Sequence, residues 1–104
     1  MEDKDPLEMM LTECVDEIGL LKHNFLNIIA NFPHLSVSLT AQQKVAQKLL
    51  YGYKSKTIDE DIIIVALEGV LHNVGTIRNQ LESIRKQLGV EKKFRTDETD
   101  KYIG

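Results

Sequence analysis

The side chains best equipped for chemistry in this chain are one thiol and three imidazoles, and their neighbours limit what each can do. Cys14 is the only cysteine, so neither an internal disulfide nor a paired-cysteine metal site can form. A reactive thiolate needs cations beside it, whereas Cys14 has Glu13, Asp16 and Glu17. It also falls on an apolar helical series, where a small buried hydrophobe is expected. His23, His34 and His72 show no metal-ligand spacing among themselves or with Cys14. Asp59, Glu60 and Asp61 stand together at a helix start, where the dipole favours acids without any catalytic role. No catalytic residue, metal or cofactor is expected, and the chain does not read as an enzyme.

Two constellations go further. Tyr51-Gly52-Tyr53-Lys54-Ser55-Lys56, with Lys44 and Lys48 before it, interleaves rings with cations. Single-stranded nucleic acid stacks on surfaces of that kind. Two tyrosines beside a helix end are more often packing residues, and no arginine accompanies them; Lys44, Lys48, Tyr51, Tyr53 and Lys54 are the candidate surface for a protein partner. The other constellation is Leu21-Lys22-His23-Asn24-Phe25-Leu26-Asn27-Ile28-Ile29. His23 lies two positions past the core residue Leu21, about 200° round a helix, and therefore faces outward. Asn27 lies one turn later on the same side. This run resembles the phosphoacceptor helix of histidine kinases and related phosphotransferases, where a His-acid/amide-Phe-x-Asn stretch precedes two aliphatic residues. Val45 to Lys54 resembles the second helix of that hairpin. The resemblance implies a phosphotransfer or decoy module, lacking the ATP-binding domain, with His23 as phosphoacceptor and Asn27 beside it.

The elements that must position these residues are helical. Asp5-Pro6-Leu7-Glu8 opens the first helix with an N-cap acid, proline at the first position and a glutamate three residues after the cap. Leu7, Leu11, Cys14, Ile18, Leu21, Phe25, Ile28 and Phe32 then recur in alternating steps of four and three, and Pro33 ends the series. Val15, Leu20, Leu26 and Ile29 widen that stripe. A connector is expected over 33–39, then a capping box at Thr40 and a short helix with Ala41, Val45, Leu49 and Tyr53 on its buried face. Thr57-Ile58-Asp59-Glu60 reads as a third capping box. Ile63, Leu67, Val70, Val74, Ile77, Leu81, Ile84 and Leu88 form the second heptad series, with Gly89 placed to end the helix.

The fold class is therefore all-α: two long heptad-patterned helices with a short helix between them, over about 6–32, 41–53 and 58–88. Residues 1–89 make the helical domain, and 90–104 a polar, flexible tail. At 1.5 Å per residue the long helices would reach about 40 and 45 Å, and the short one, at about 20 Å, would not cover both. The uncovered stripes predict an oligomeric helical bundle. Its core is assigned to Leu11, Ile18, Leu21, Phe25, Ile28, Leu67, Val70, Val74, Ile77, Leu81 and Ile84.

Composition bounds the partners. Net charge −3 gives no general attraction to nucleic acid or anionic lipid. Residues 1–17 carry seven acids and one lysine, whereas 18–58 carry five lysines and no acid, a polarity able to pair the two segments within or between chains. The acidic N-terminus lacks a secretory pattern, and the most apolar stretch is interrupted by polar residues, so a cytoplasmic protein is expected. The expected function is that of a small regulatory, adaptor or inhibitory protein. Its expected partners are itself, as a homodimer or higher, and a further protein.

Overall fold

A computed structural model of the chain describes residues 5–103, with side chains described from residue 5 to residue 89. Four helices follow in order: α1 (Pro6–Asn24), α2 (Leu26–Asn31), α3 (Pro33–Lys54) and α4 (Glu60–Ile103). No strand occurs among the described residues. The fold is an all-α bundle.

α1 starts as its sequence dictates. The Asp5 carboxylate accepts the Leu7 N–H at 2.9 Å, and Pro6 occupies a position that needs no donor. At Phe25 the backbone leaves the helical region (φ −111°, ψ 23°). The Phe25 N–H still donates to the Leu21 carbonyl at 3.0 Å, and the Ile29 N–H to the Phe25 carbonyl at 2.9 Å. The helix expected over 6–32 is thus two helices in one rod, and its apolar row passes through the fault unbroken. Leu21, Phe25 and Ile28 are all buried.

The chain reverses at Phe32 (φ −131°, ψ 74°), and Pro33 begins α3 rather than merely ending what precedes it. The expected connector 33–39 is in fact the first two turns of α3, and Thr40, expected as a cap, lies inside the helix. Proline supports both readings, since its missing N–H is no loss in a first turn. At the other end Lys56 adopts φ 58°. The Thr57 N–H donates to the Gly52 carbonyl at 2.9 Å and the Lys56 N–H to the Tyr53 carbonyl at 3.3 Å, the double bond pattern that closes a helix with a left-handed residue. α4 begins at Glu60, leaving Thr57 in the turn. Its backbone continues to Ile103, past the end expected near 88. Segment 90–104, set apart as a tail, therefore extends α4 as far as Ile103, while its side chains lie outside the described residues.

Both heptad series bury as read except at Leu88, the last position of the second series, which is 50 % exposed. Leu11, Cys14, Ile18, Leu21, Phe25 and Ile28 face Ile63, Leu67, Val70, Val74, Ile77 and Leu81 within one buried cluster, and Leu7, Phe32 and Ile84 close its edges. The series of α3 differs from the expectation. Leu35, Leu39, Ala46 and Leu49 are buried, whereas Ala41 and Val45 are exposed. Leu49 and the half-buried Tyr53 belong to this face as expected.

That correction alters the account of the core. With 22 residues α3 spans about 33 Å, and it packs against both α1 and α4. The residues assigned to an oligomer core, from Leu11 to Leu81, are already covered within one chain, and Ile84 is half-buried there. The helices run up, down and up. α4, 44 residues long, accounts for the 66 Å long axis of the molecule.

Candidate functional site

Each residue with chemical potential can now be placed. Cys14 is buried, and burial raises its thiol pKa above the ordinary value, which suits an inert core residue. His34 packs edge-on to Phe32, ring centres 6.1 Å apart, at the reversal between α2 and α3. His72 is exposed on α4. His23 is exposed in the last turn of α1, and Asn27 is exposed in the first turn of α2, with the fault at Phe25 between them. Lys22 turns away from His23 and donates to the Gln43 side-chain oxygen at 3.4 Å. Among the described residues, no three His, Cys, Asp or Glu side chains converge as a metal site would require.

The tyrosine–lysine segment separates into two parts. Lys44, Lys48 and Tyr51 are exposed on the outer side of α3, as the sequence predicts. Tyr53 instead donates its hydroxyl to the Asp5 carboxylate. This bond, chiefly, raises the Tyr53 phenol to a pKa of about 12 and holds Asp5 below the ordinary carboxylate range. Lys54 lies 3.6 Å from Glu8, both half in water. A pair that open to solvent contributes at most about 1 kcal/mol. Tyr53 and Lys54 therefore tie the end of α3 to the start of α1, and the pairing of acidic and basic segments occurs here within one chain. Tyr51 is left as the outward ring of the two.

α3 presents more than its cations. Val37, Ala41, Lys44, Lys48 and Tyr51 alternate in steps of four and three along its outer side, all exposed. Val37 is 69 % exposed and Tyr51 73 %. Val37 and Ala41 were hidden in the sequence by the expected connector and by the assignment of Ala41 to the core. The signal that would have found them was the Leu35–Leu39–Ala46–Leu49–Tyr53 row opposite. The outer side of α1 and α2 carries Thr12, Asp16, His23 and Asn27 with Leu26, which is 63 % exposed. Leu20 and Leu26, expected to thicken the core, thus point to solvent.

The hollow beside Lys44, Lys48 and Tyr51 is shallow and open, bounded by Gly52 and Ile58. It offers aliphatic stems, one ring and two lysines that form no ion pair among the described residues. Among the described residues no helix is long and apolar enough to cross a membrane. Comparisons with protein-family models, with curated proteins and with solved structures yielded no match to this chain.

Proposed function

We propose that this chain is a small non-catalytic regulatory or adaptor protein that acts by helix-mediated association with another protein. The observation that carries this reading is the row Val37, Ala41, Lys44, Lys48 and Tyr51. The chain already covers its heptad series as far as Ile84 and still presents apolar and cationic side chains at helical spacing on the outside. Aliphatic residues and a tyrosine left in water between lysines are what a partner helix of acidic, amphipathic character would cover. The test is affinity capture from native extract with the wild type and with Lys44→Glu/Lys48→Glu/Tyr51→Ala. A protein held by the wild type and lost by the triple variant, with helicity unchanged by circular dichroism, supports the reading. Equal capture by both removes this surface from it.

A second reading has its own observation. The His23 imidazole and the Asn27 amide are both exposed, one turn apart, as phosphoacceptance requires. An imidazole nitrogen would attack phosphorus, the donor's carboxylate would leave, and the ring proton would pass to solvent. Incubation with acetyl phosphate or a phosphorylated receiver domain should then leave an acid-labile phosphoryl group on the wild type and none on His23→Ala. Absence of label on the wild type removes this reading.

A further inference from the structure

The geometry points to a second copy of this chain as an occupant of the α3 surface, with α1 of each protomer lying antiparallel on α3 of the other. This inference rests on the association reading above and names its partner. Its basis is the match in height and in charge between two exposed rows, one on α1 and α2 and one on α3.

Contacts within the chain fix the heights of α1 and α3. Glu8 is level with Lys54, and Lys22 reaches Gln43. At Gly19 an added Cβ would stand 3.6 Å from the Gln43 amide nitrogen. On that scale Asp16 stands between the heights of Lys44 and Lys48, Leu26 near that of Val37, and Thr12 near that of Tyr51. A two-fold axis parallel to the helices keeps every height and sets α1 of one protomer across from α3 of its partner. The central acid then meets lysines, and the exposed leucine meets the exposed valine. Both halves of the contact are identical, as two-fold symmetry requires.

Charge favours α1 against α3 over α3 against α3. The exposed lysines of α3 would repel a second α3, and no acid lies between residues 18 and 58. The acids of the chain's first part are Glu13 and Asp16 where α1 is exposed, and among the described residues neither forms an ion pair. Two helices wide and about 30 Å long, the face offers on the order of 600 Å² per protomer. That is somewhat below the roughly 800 Å² of a standard interface, so a reversible dimer is expected.

Sedimentation equilibrium on three proteins tests this: the wild type, Glu13→Lys/Asp16→Lys and Lys44→Glu/Lys48→Glu. All four positions are exposed, and circular dichroism checks that the fold survives. The wild type should dimerise at low salt and weaken as salt screens the contact. Each double reversal should raise the dissociation constant by roughly tenfold or more, since it sets like charges opposite one another in both halves of the contact. An equimolar mixture of the two reversed proteins should recover a dimer, because each now supplies the sign the other lacks. A wild type monomeric at hundreds of micromolar, a dimer indifferent to both reversals, or a mixture that stays monomeric would each overturn the inference. Partner loss by the α3 triple variant in the capture experiment would still stand, so the two failures are distinguishable.

Discussion

At the end of α3 and in the turn that follows it, two residues have types that sit against their local structure. Lys56 occupies the left-handed region, which costs a residue with a Cβ about 1–2 kcal/mol. Gly52 is buried inside a helix, and a Cβ added there would overlap the Ile58 side chain. Lys56→Gly should therefore stabilise the protein by about 1 kcal/mol in chemical denaturation. Gly52→Ala should destabilise it by about 1 kcal/mol, because the overlap outweighs the better helix propensity of alanine. A stabilising Gly52→Ala would show that Ile58 does not lie against the helix.

The Tyr53–Asp5 bond gives a pH dependence at both ends of the scale. Asp5 titrates below its unfolded value, so its contribution is present above that value and is lost as pH falls through the folded pKa. Tyr53 titrates at about 12, so its contribution is full below the unfolded tyrosine value and is lost as pH rises through about 12. Tyr53→Phe should flatten both limbs. In an ultraviolet titration it should also abolish the late phenolate component near pH 12. Survival of that component in the variant would assign it to another tyrosine.

At the scale of elements, α3 decides how the other helices are used. Its buried row begins more than a turn before Thr40, at Leu35, and continues with Leu39, which is fully enclosed. Leu39→Ala should cost about 2–5 kcal/mol, whereas Val45→Lys, on the exposed side, should change stability by about 0.5 kcal/mol or less. Denaturation midpoints of the two variants separate the observed register from one with Val45 inside, under which the order of the two costs would reverse. The links from α1 to its neighbours sit at different levels. Glu17 pairs with Arg78 of α4, and Arg85 lies 4.6 Å over the Phe25 ring, beside the fault between α1 and α2. A cation over a ring contributes about 0.5–1 kcal/mol where, as at Arg85, the cation stays in solvent.

For the whole molecule, the core is continuous from Leu11 through Leu81 and lies within one chain. Val74, 1 % exposed, is at its middle on α4. Val74→Glu should cost several kcal/mol, since a carboxylate there would be buried without a partner. Thermal unfolding of that variant, compared over a range of protein concentrations, checks two things together. A melting point close to wild type would contradict the burial of Val74. A loss that vanished with dilution would place Val74 between chains instead.

The heptad rows of α1–α2 and of α4 were legible from residue order alone, because an apolar residue every three or four positions admits one helical face toward a core. The outward placement of His23 and Asn27 followed from the same periodicity, and the exposure expected of Lys44 and Lys48 survives the shift of register in α3. The start and register of α3 did not follow. Pro33 is compatible with an end and with a beginning, and in a helix with few large apolar residues Ala41 and Ala46 serve equally well as core positions. Only the packing of Leu35 and Leu39 between α1 and α4 chose between them. The origin of the cover was likewise a tertiary matter. A heptad row states that an apolar face must be covered, since leaving it in water costs about 25 cal/mol per Å², but not which chain supplies the cover. The length of α3 decided that: at about 33 Å it reaches along both neighbours, so one chain closes its own core and leaves the charged outer rows of α1 and α3 exposed.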